Sequence, residues 1–165
     1  MAEALARAKA VSVAQREGGG LVLAADTVVV DGDTLLGKPR DAAEAAAMLR
    51  RLRGREHRVI TGLALVDAAR FTLVDHVTTA VRMRAYTEEE IAAYIASGEP
   101  FDKAGAYAIQ DEAFHPVASY DGCYCNVVGL PLRAVIRLLR HAGLDITDRH
   151  LAGLPAECRD CPLQV

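Results

Sequence analysis

Leu21-Val22-Leu23-Ala24-Ala25-Asp26-Thr27-Val28-Val29-Val30 decides the fold. The stretch is rich in valine and apolar apart from Asp26 and Thr27, the pattern of a buried strand. Gly18-Gly19-Gly20 precedes it and ends an alanine-rich helix over Ala2–Gln15 that has no clear cap. Asp31-Gly32-Asp33 follows and turns the chain into a hairpin with Thr34-Leu35-Leu36. Further on, Asp41 predicts a helix to about Leu52, with Glu44 placed to complete a capping box. Ala45, Met48, Leu49 and Leu52 form its apolar face. Arg58–Val66 and Phe71–Arg84 alternate like two antiparallel strands joined by Asp67–Arg70. Thr87 caps a helix to about Ala96, opened by Glu88, Glu89 and Glu90 and stopped by Ser97-Gly98. Asn126–Leu130 leads into Pro131, which suits the first turn of a last helix to His141. These alternating elements predict an α/β domain with a mixed sheet.

Composition narrows the function classes. A chain of 165 residues suits one domain with its own core. Charged residues make up 25% and apolar residues 52%, an ordinary globular balance. With 19 Lys and Arg against 22 Asp and Glu the chain has no general basic field, so nucleic acid is not an expected partner. No apolar run reaches the roughly 18 residues of a membrane span, and Met1–Ala10 lacks the apolar core of a signal peptide. Four cysteines are too sparse for a disulfide scaffold, and a reducing, cytoplasmic setting is expected.

Three polar stretches need a reason. An unpaired carboxylate in a buried strand is costly, so Asp26 must sit at a strand edge or face a partner. It either caps a neighbouring loop or serves as a metal ligand or general base at the mouth of a cleft. Gly37-Lys38-Pro39-Arg40 puts two cations after a strand. It is a solvated turn or a phosphate contact, though not a Walker A loop. Ser97 to Gln110 packs Glu99, Asp102, Lys103, Tyr107 and Gln110 among Ala, Gly and Ile, which suits a binding loop on a rigid scaffold. An amide such as Gln110 matches the donor and acceptor edge of a base.

Together these stretches resemble the Maf family, the Maf/Ham1-like nucleoside triphosphate pyrophosphatases. The likeness runs from about Leu5 to Gly143 and is carried by Leu5–Ala10, Ala25–Val29, Gly37-Lys38-Pro39, Thr61-Gly62, Ser97–Gln110 and Asn126–Leu132. It implies a strongly twisted sheet flanked by helices over residues 1–143, followed by an irregular tail over 144–165. It implies cleavage of a nucleoside triphosphate between its α and β phosphates, giving the monophosphate and pyrophosphate, with Mg²⁺ or Mn²⁺. Asp26 matches the catalytic aspartate, which activates water or holds the metal. Lys38 and Lys103 suit phosphate oxygens as point charges; Lys9 matches another cation of the pocket, and Asp102 lies in the same matching loop. Thr27 and Gln110 match positions tied to pyrimidine choice in the subgroup acting on dTTP and UTP. The subgroup acting on 7-methyl-GTP is less similar, carrying Gln after the aspartate and Glu at the position of Gln110. The expected partners are the nucleotide and, as a homodimer, a second copy of the chain.

The sequence departs from the family pattern in two places. The strand and Ser-x-Ser-Pro-Arg-Arg loop that normally come first are missing ahead of Met1, which implies an uncovered sheet edge and loss of arginine contacts to the triphosphate. Asp111 stands where glycine usually follows Gln110. The alternative to an enzyme is therefore a nucleotide-binding or regulatory protein of impaired catalysis, the family having been linked to septum formation and cell division. Cys123-x-Cys125 and Cys158-x-x-Cys161 admit three readings: a Zn²⁺ site, a redox or disulfide pair, or unrelated thiols. His57, His76, His115, His141 and His150 show no metal spacing and read as structural.

Overall fold

Ala2, Ala6, Ala10 and Ala14 recur every fourth residue and so fall on one side of a helix. In the computed structural model, which describes residues 1–159 and 161–163, they are the buried residues of helix α1 (Ala2–Arg16). The next elements are β1 (Leu21–Asp31), β2 (Thr34–Leu36), α2 (Ala42–Leu52), β3 (Glu56–Asp67), β4 (Phe71–Met83) and α3 (Glu88–Ala96). After two 3₁₀ turns come β5 (Val117–Asp121), α4 (Tyr124–Val128), α5 (Leu132–His141), α6 (Asp148–Ala152) and α7 (Ala156–Arg159). The strands form a five-stranded antiparallel sheet in the order β2-β1-β3-β4-β5. The expected α/β class, with helices flanking the sheet, is what forms, but the sheet is antiparallel where the sequence predicts a mixed one. No described helix is long and apolar enough to cross a membrane.

The chain divides into two compact units, residues 1–27, 60–78 and 122–165 in the first and 28–59 and 79–121 in the second. In the first, Ala6, Ala10 and Ala14 pack on Ala64 and Val66 of β3. Methyl side chains let the helix backbone lie close to the strand, and Gly62 sets how close. A Cβ at Gly62 would stand 2.3 Å from the carbonyl carbon of Ala2 and 2.3 Å from the amide of Glu3. A second apolar cluster joins Leu63, Leu65 and Val77 to Ala134, Val135 and Leu138 of α5 and to three of the cysteines.

In the second unit the hairpin closes through the two-residue loop Gly32-Asp33, with Asp31 opposite Thr34 and Gly32 at a φ of 61°. Buried Asp31 accepts from Arg51 Nε at 2.6 Å and from Arg55 at 3.3 Å. Tyr86, fully buried, donates to the Leu49 carbonyl at 2.7 Å. The Phe114 ring stacks on Tyr94 with centroids 4.3 Å apart.

Some local expectations change in detail. The Asp41 carboxylate accepts from the Glu44 amide, but Glu44 bonds the Arg40 amide and guanidinium instead of closing the box on Asp41. The full reciprocal box forms at Thr87 and Glu90. Pro131 is the N-cap of α5, one step before the first turn. The tail is not wholly irregular, since α6 and α7 lie in it; its residues 160, 164 and 165 lie outside the described chain.

His57 and Tyr107 form a buried pair, with His57 Nε2 and the Tyr107 hydroxyl 2.7 Å apart. Burial lowers the His57 pKa to about 4, the Asp31 charge opposing this only in part. The other ring nitrogen, Nδ1, has no hydrogen-bond partner, so protonating it leaves a buried charge unpaired. Because the folded pKa is depressed, this contribution to stability is complete above the unfolded value near 6.5. It is lost as pH falls toward 4, amounting to about 3 kcal/mol. Denaturant midpoints measured from pH 7 to pH 4 should fall accordingly. His57→Leu/Tyr107→Phe, which removes both polar groups, should flatten that fall; parallel curves would exclude His57 as the titrating group. Gly62→Ala should lower stability by about 1–3 kcal/mol through overpacking against α1, read as a drop in Tm; an unchanged Tm would mean that α1 does not dock at Gly62.

Candidate active site

Asp26 lies near the middle of β1, in the first unit. Its carboxylate does face a partner, as the cost of burying it requires: Lys9 Nζ stands 2.6 Å from Oδ1 and also donates to the Ala25 carbonyl at 3.4 Å. Lys9 reaches it from α1, between Ala6 and Ala10, which are buried against β3. The Asp26 side chain keeps 16% of its surface exposed, and its second oxygen makes no hydrogen bond among the described residues. One oxygen is therefore held by a cation and the other remains an open acceptor.

Thr27, one residue on, belongs to a different network. Thr61 of β3 donates its amide to the Asn126 side-chain oxygen at 3.2 Å and its hydroxyl to the Asn126 carbonyl at 3.0 Å. Thr61 has a single hydroxyl proton, so the 2.8 Å bond between the Thr27 and Thr61 hydroxyls is donated by Thr27. This leaves the Thr27 oxygen as an acceptor. Gly129, at a φ of 119°, ends α4 against it; a Cβ there would come within 3.4 Å of the Thr27 hydroxyl. Asn126 and Thr61 are fully buried polar residues. Both fall in stretches that the sequence marks, but their positioning role does not show until the strands are paired.

Lys38, Asp102, Lys103 and Gln110 lie in the second unit. The Gly105 amide donates to the Gly37 carbonyl at 3.0 Å, tying the Lys38 loop to the Lys103 loop. Gly105 has a φ of 72°, and a Cβ there would stand 3.1 Å from the Val29 side chain, so glycine fits best on both counts. Lys103 donates to the Glu99 carbonyl at 2.8 Å, to the Glu99 carboxylate at 3.3 Å and to Asp102 at 2.6 Å. Burial works against the Lys103 ammonium, but Asp102 and Glu99 outweigh it and raise its pKa above the ordinary lysine value. The hydrogen bond from Lys103 in turn lowers the pKa of Asp102. Lys38 is exposed and makes no hydrogen bond among the described residues.

Lys103 and Gln110 line one hollow of about 430 Å³ with Glu99, Ala108 and Asp111. Asp111 also accepts from the Phe114 amide at 2.7 Å, so its carboxylate shapes the turn that ends the loop. Arg84 holds that turn through the Phe114 and His115 carbonyls and Glu90. The sequence does not suggest this clamp, because the residues it joins are far apart along the chain.

The cysteines fall in the first unit, where Cys125 and Cys158 are joined as a disulfide. A bonded pair offers no thiolate, so this arrangement does not present the four-thiolate set that a zinc site needs.

The family of Maf-like proteins matches residues 1–142. A dTTP/UTP pyrophosphatase of Thermomicrobium roseum is 58% identical over 163 residues, covering 99% of this chain and 74% of that protein. The dTTP/UTP pyrophosphatase of Myxococcus xanthus is 55% identical over 145 residues, covering 88% of this chain and 73% of its own length. That of Geotalea uraniireducens is 50% identical over 143 residues, covering 84% and 72%. With the Asp26 strand, the Lys38 turn and the Lys103 loop folded as described, and the family matched over most of its length, this chain belongs to the Maf family.

Proposed function

We propose that this chain is a nucleoside triphosphate pyrophosphatase that hydrolyses dTTP and UTP to the monophosphate and pyrophosphate. The observation that carries the reading is Asp26, a partly exposed strand carboxylate with one oxygen on Lys9 and one open, in a chain that is 58% identical to a dTTP/UTP pyrophosphatase. The open oxygen accepts a proton from the attacking water or holds a divalent cation. Lys9 adds positive charge beside it.

The donor set fits Mg²⁺ or Mn²⁺. Around Asp26 the described residues offer no cluster of three side chains that could hold a metal ion. A hard cation held by one carboxylate, with phosphate oxygens and waters completing its shell, needs no such cluster. Asp26 would hold it, and the ion would neutralise charge on the phosphates. Lys38 and Lys103 supply further positive charge to phosphate oxygens. Asp102 acts through Lys103, holding its ammonium until phosphate competes for it. Gln110 contributes an amide to base recognition.

Thr27 gives the base assignment a direction. As an acceptor it suits the N3–H of thymine or uracil, whereas N3 of cytosine is itself an acceptor and would leave the pair unsatisfied. UTP should therefore outpace CTP.

Pyrophosphate release from dTTP, UTP, CTP, GTP and 7-methyl-GTP tests the function; a purine preference, or no release from any of them, would overturn it. Asp26→Asn should lower kcat by at least ~10²-fold while the fold persists. Near-normal turnover in that variant would make Asp26 structural. Thr61→Val removes the acceptor that takes the Thr27 proton and so allows Thr27 to donate. The UTP-over-CTP ratio of kcat/KM should then fall roughly tenfold, and an unchanged ratio would sever Thr27 from base choice.

A further inference from the structure

The cysteines are the cluster of reactive side chains that the proposed chemistry leaves unused. Cys123 and Cys125 flank the start of α4, while Cys158 lies in α7 and Cys161 just beyond it. Although 32 residues separate the two pairs in the chain, the fold brings them together. Cys123, Cys125 and Cys158 are all buried in one apolar cluster, and Cys161 packs against it. Cys125 is joined to Cys158, and the Cys123 and Cys161 thiols are hydrogen-bonded to each other. Each bond links one cysteine of the first pair with one of the second.

We propose that, when reduced, Cys123, Cys125, Cys158 and Cys161 form a tetrahedral site for a soft divalent cation, Zn²⁺ by preference, which fastens the C-terminal tail to α4. A disulfide alone uses half of the set and leaves a second pair of thiols in the same apolar surroundings; a metal uses all four. Zn²⁺ holds thiolates at about 2.3 Å, which places the sulfurs a little under 4 Å from one another. Two of the sulfurs are already within hydrogen-bonding reach of each other and two are bonded, and all four cysteines meet in one apolar cluster. The backbone amides of Cys125 and Asn126 donate to the Cys123 sulfur. Four thiolates around a dication leave a net double negative charge. The Arg133 guanidinium, 2.6 Å from the Cys158 carbonyl, places an opposing charge at the cluster.

The chemistry balances in two steps. A dithiol reductant gives two electrons and two protons to the Cys125–Cys158 bond, yielding two thiols and an oxidised reductant. Zn²⁺ then displaces one proton from each of the four thiols, with no change of oxidation state. The tail half of the site lies beyond residues 1–142, the part that the Maf-like family matches.

The test uses the full chain, fully reduced and then dialysed against equimolar Zn²⁺ or Co²⁺. One Zn²⁺ per chain should be retained, and a mercurial thiol reagent should release it as four thiols react. The Co²⁺ form should show the intense visible bands of a tetrahedral thiolate site. Cys161→Ser, at the least buried position of the set, should weaken Zn²⁺ binding by more than ~10²-fold, beyond what outer-shell changes cost. Cys161→His should restore binding, because Cys₃His is equally a zinc set. Should a serine variant fail to fold, the thiol and metal titrations of the unaltered chain still decide the matter. A reduced chain that holds no Zn²⁺ and gives no thiolate bands with Co²⁺ would overturn the site, as would Cys161→Ser binding as tightly as the parent. These readouts are independent of nucleotide hydrolysis.

Discussion

The close approach of α1 to β3 at Gly62 is the constraint on which the first unit's chemistry rests. A helix that carried larger residues than Ala6, Ala10 and Ala14 on its buried side would stand further from the strand. A side chain at position 62 would collide with the backbone of the helix's first turn. Lys9 lies between two of those alanines, so the depth of docking fixes how far its ammonium reaches. At the observed depth Lys9 meets Asp26 at 2.6 Å. The ion pair itself adds little stability, since the lysine side chain is 57% exposed. Its value lies in orientation: it fixes one oxygen of Asp26 and leaves the other open.

Next to that ion pair stands a neutral network with a direction of its own. Asn126 accepts both protons that Thr61 has to give, and Thr61 then accepts from Thr27. Proton order here follows from counting donors, and it turns a hydroxyl that could donate or accept into an acceptor. Adjacent residues of one strand are thus held in different ways: Asp26 by charge and Thr27 by a hydrogen-bond chain. Alternation explains how, since successive side chains leave a strand on opposite faces and meet different neighbours.

Local signals were legible in the sequence. The valine-rich strand, the Gly32-Asp33 turn, the Asp41 and Thr87 caps and the glycine stop before β1 all depend on residues within a few positions of one another. β5 escaped because Val117 alone of its five residues is buried, so it has no alternating pattern to read. The short helices α4, α6 and α7 are too brief to show a helical period. The candidate residues Asp26, Thr27, Lys38, Lys103 and Gln110 came from resemblance to the family's motifs, where composition and spacing left bland readings open. Thr61, Asn126 and Arg84 gained their positioning roles only from pairings across the fold. Each bonds a partner more than 25 residues away, a relation that no window of sequence contains.

The two lysines of the second unit show how the fold grades positive charge. Lys38 sits on an exposed turn with no hydrogen bond among the described residues. Lys103 is held by two carboxylates and a carbonyl. A polyphosphate carries more charge than Asp102, which is exposed and carries one. It can therefore displace Asp102 from Lys103, at the cost of a bond already made. Lys38 offers attraction without that exchange, whereas Lys103 offers it only to an anion strong enough to compete. A weaker anion gains little from Lys103, so on the proposed reading the Asp102–Lys103–Glu99 clamp would favour multiply charged phosphates over singly charged ligands without any added contact.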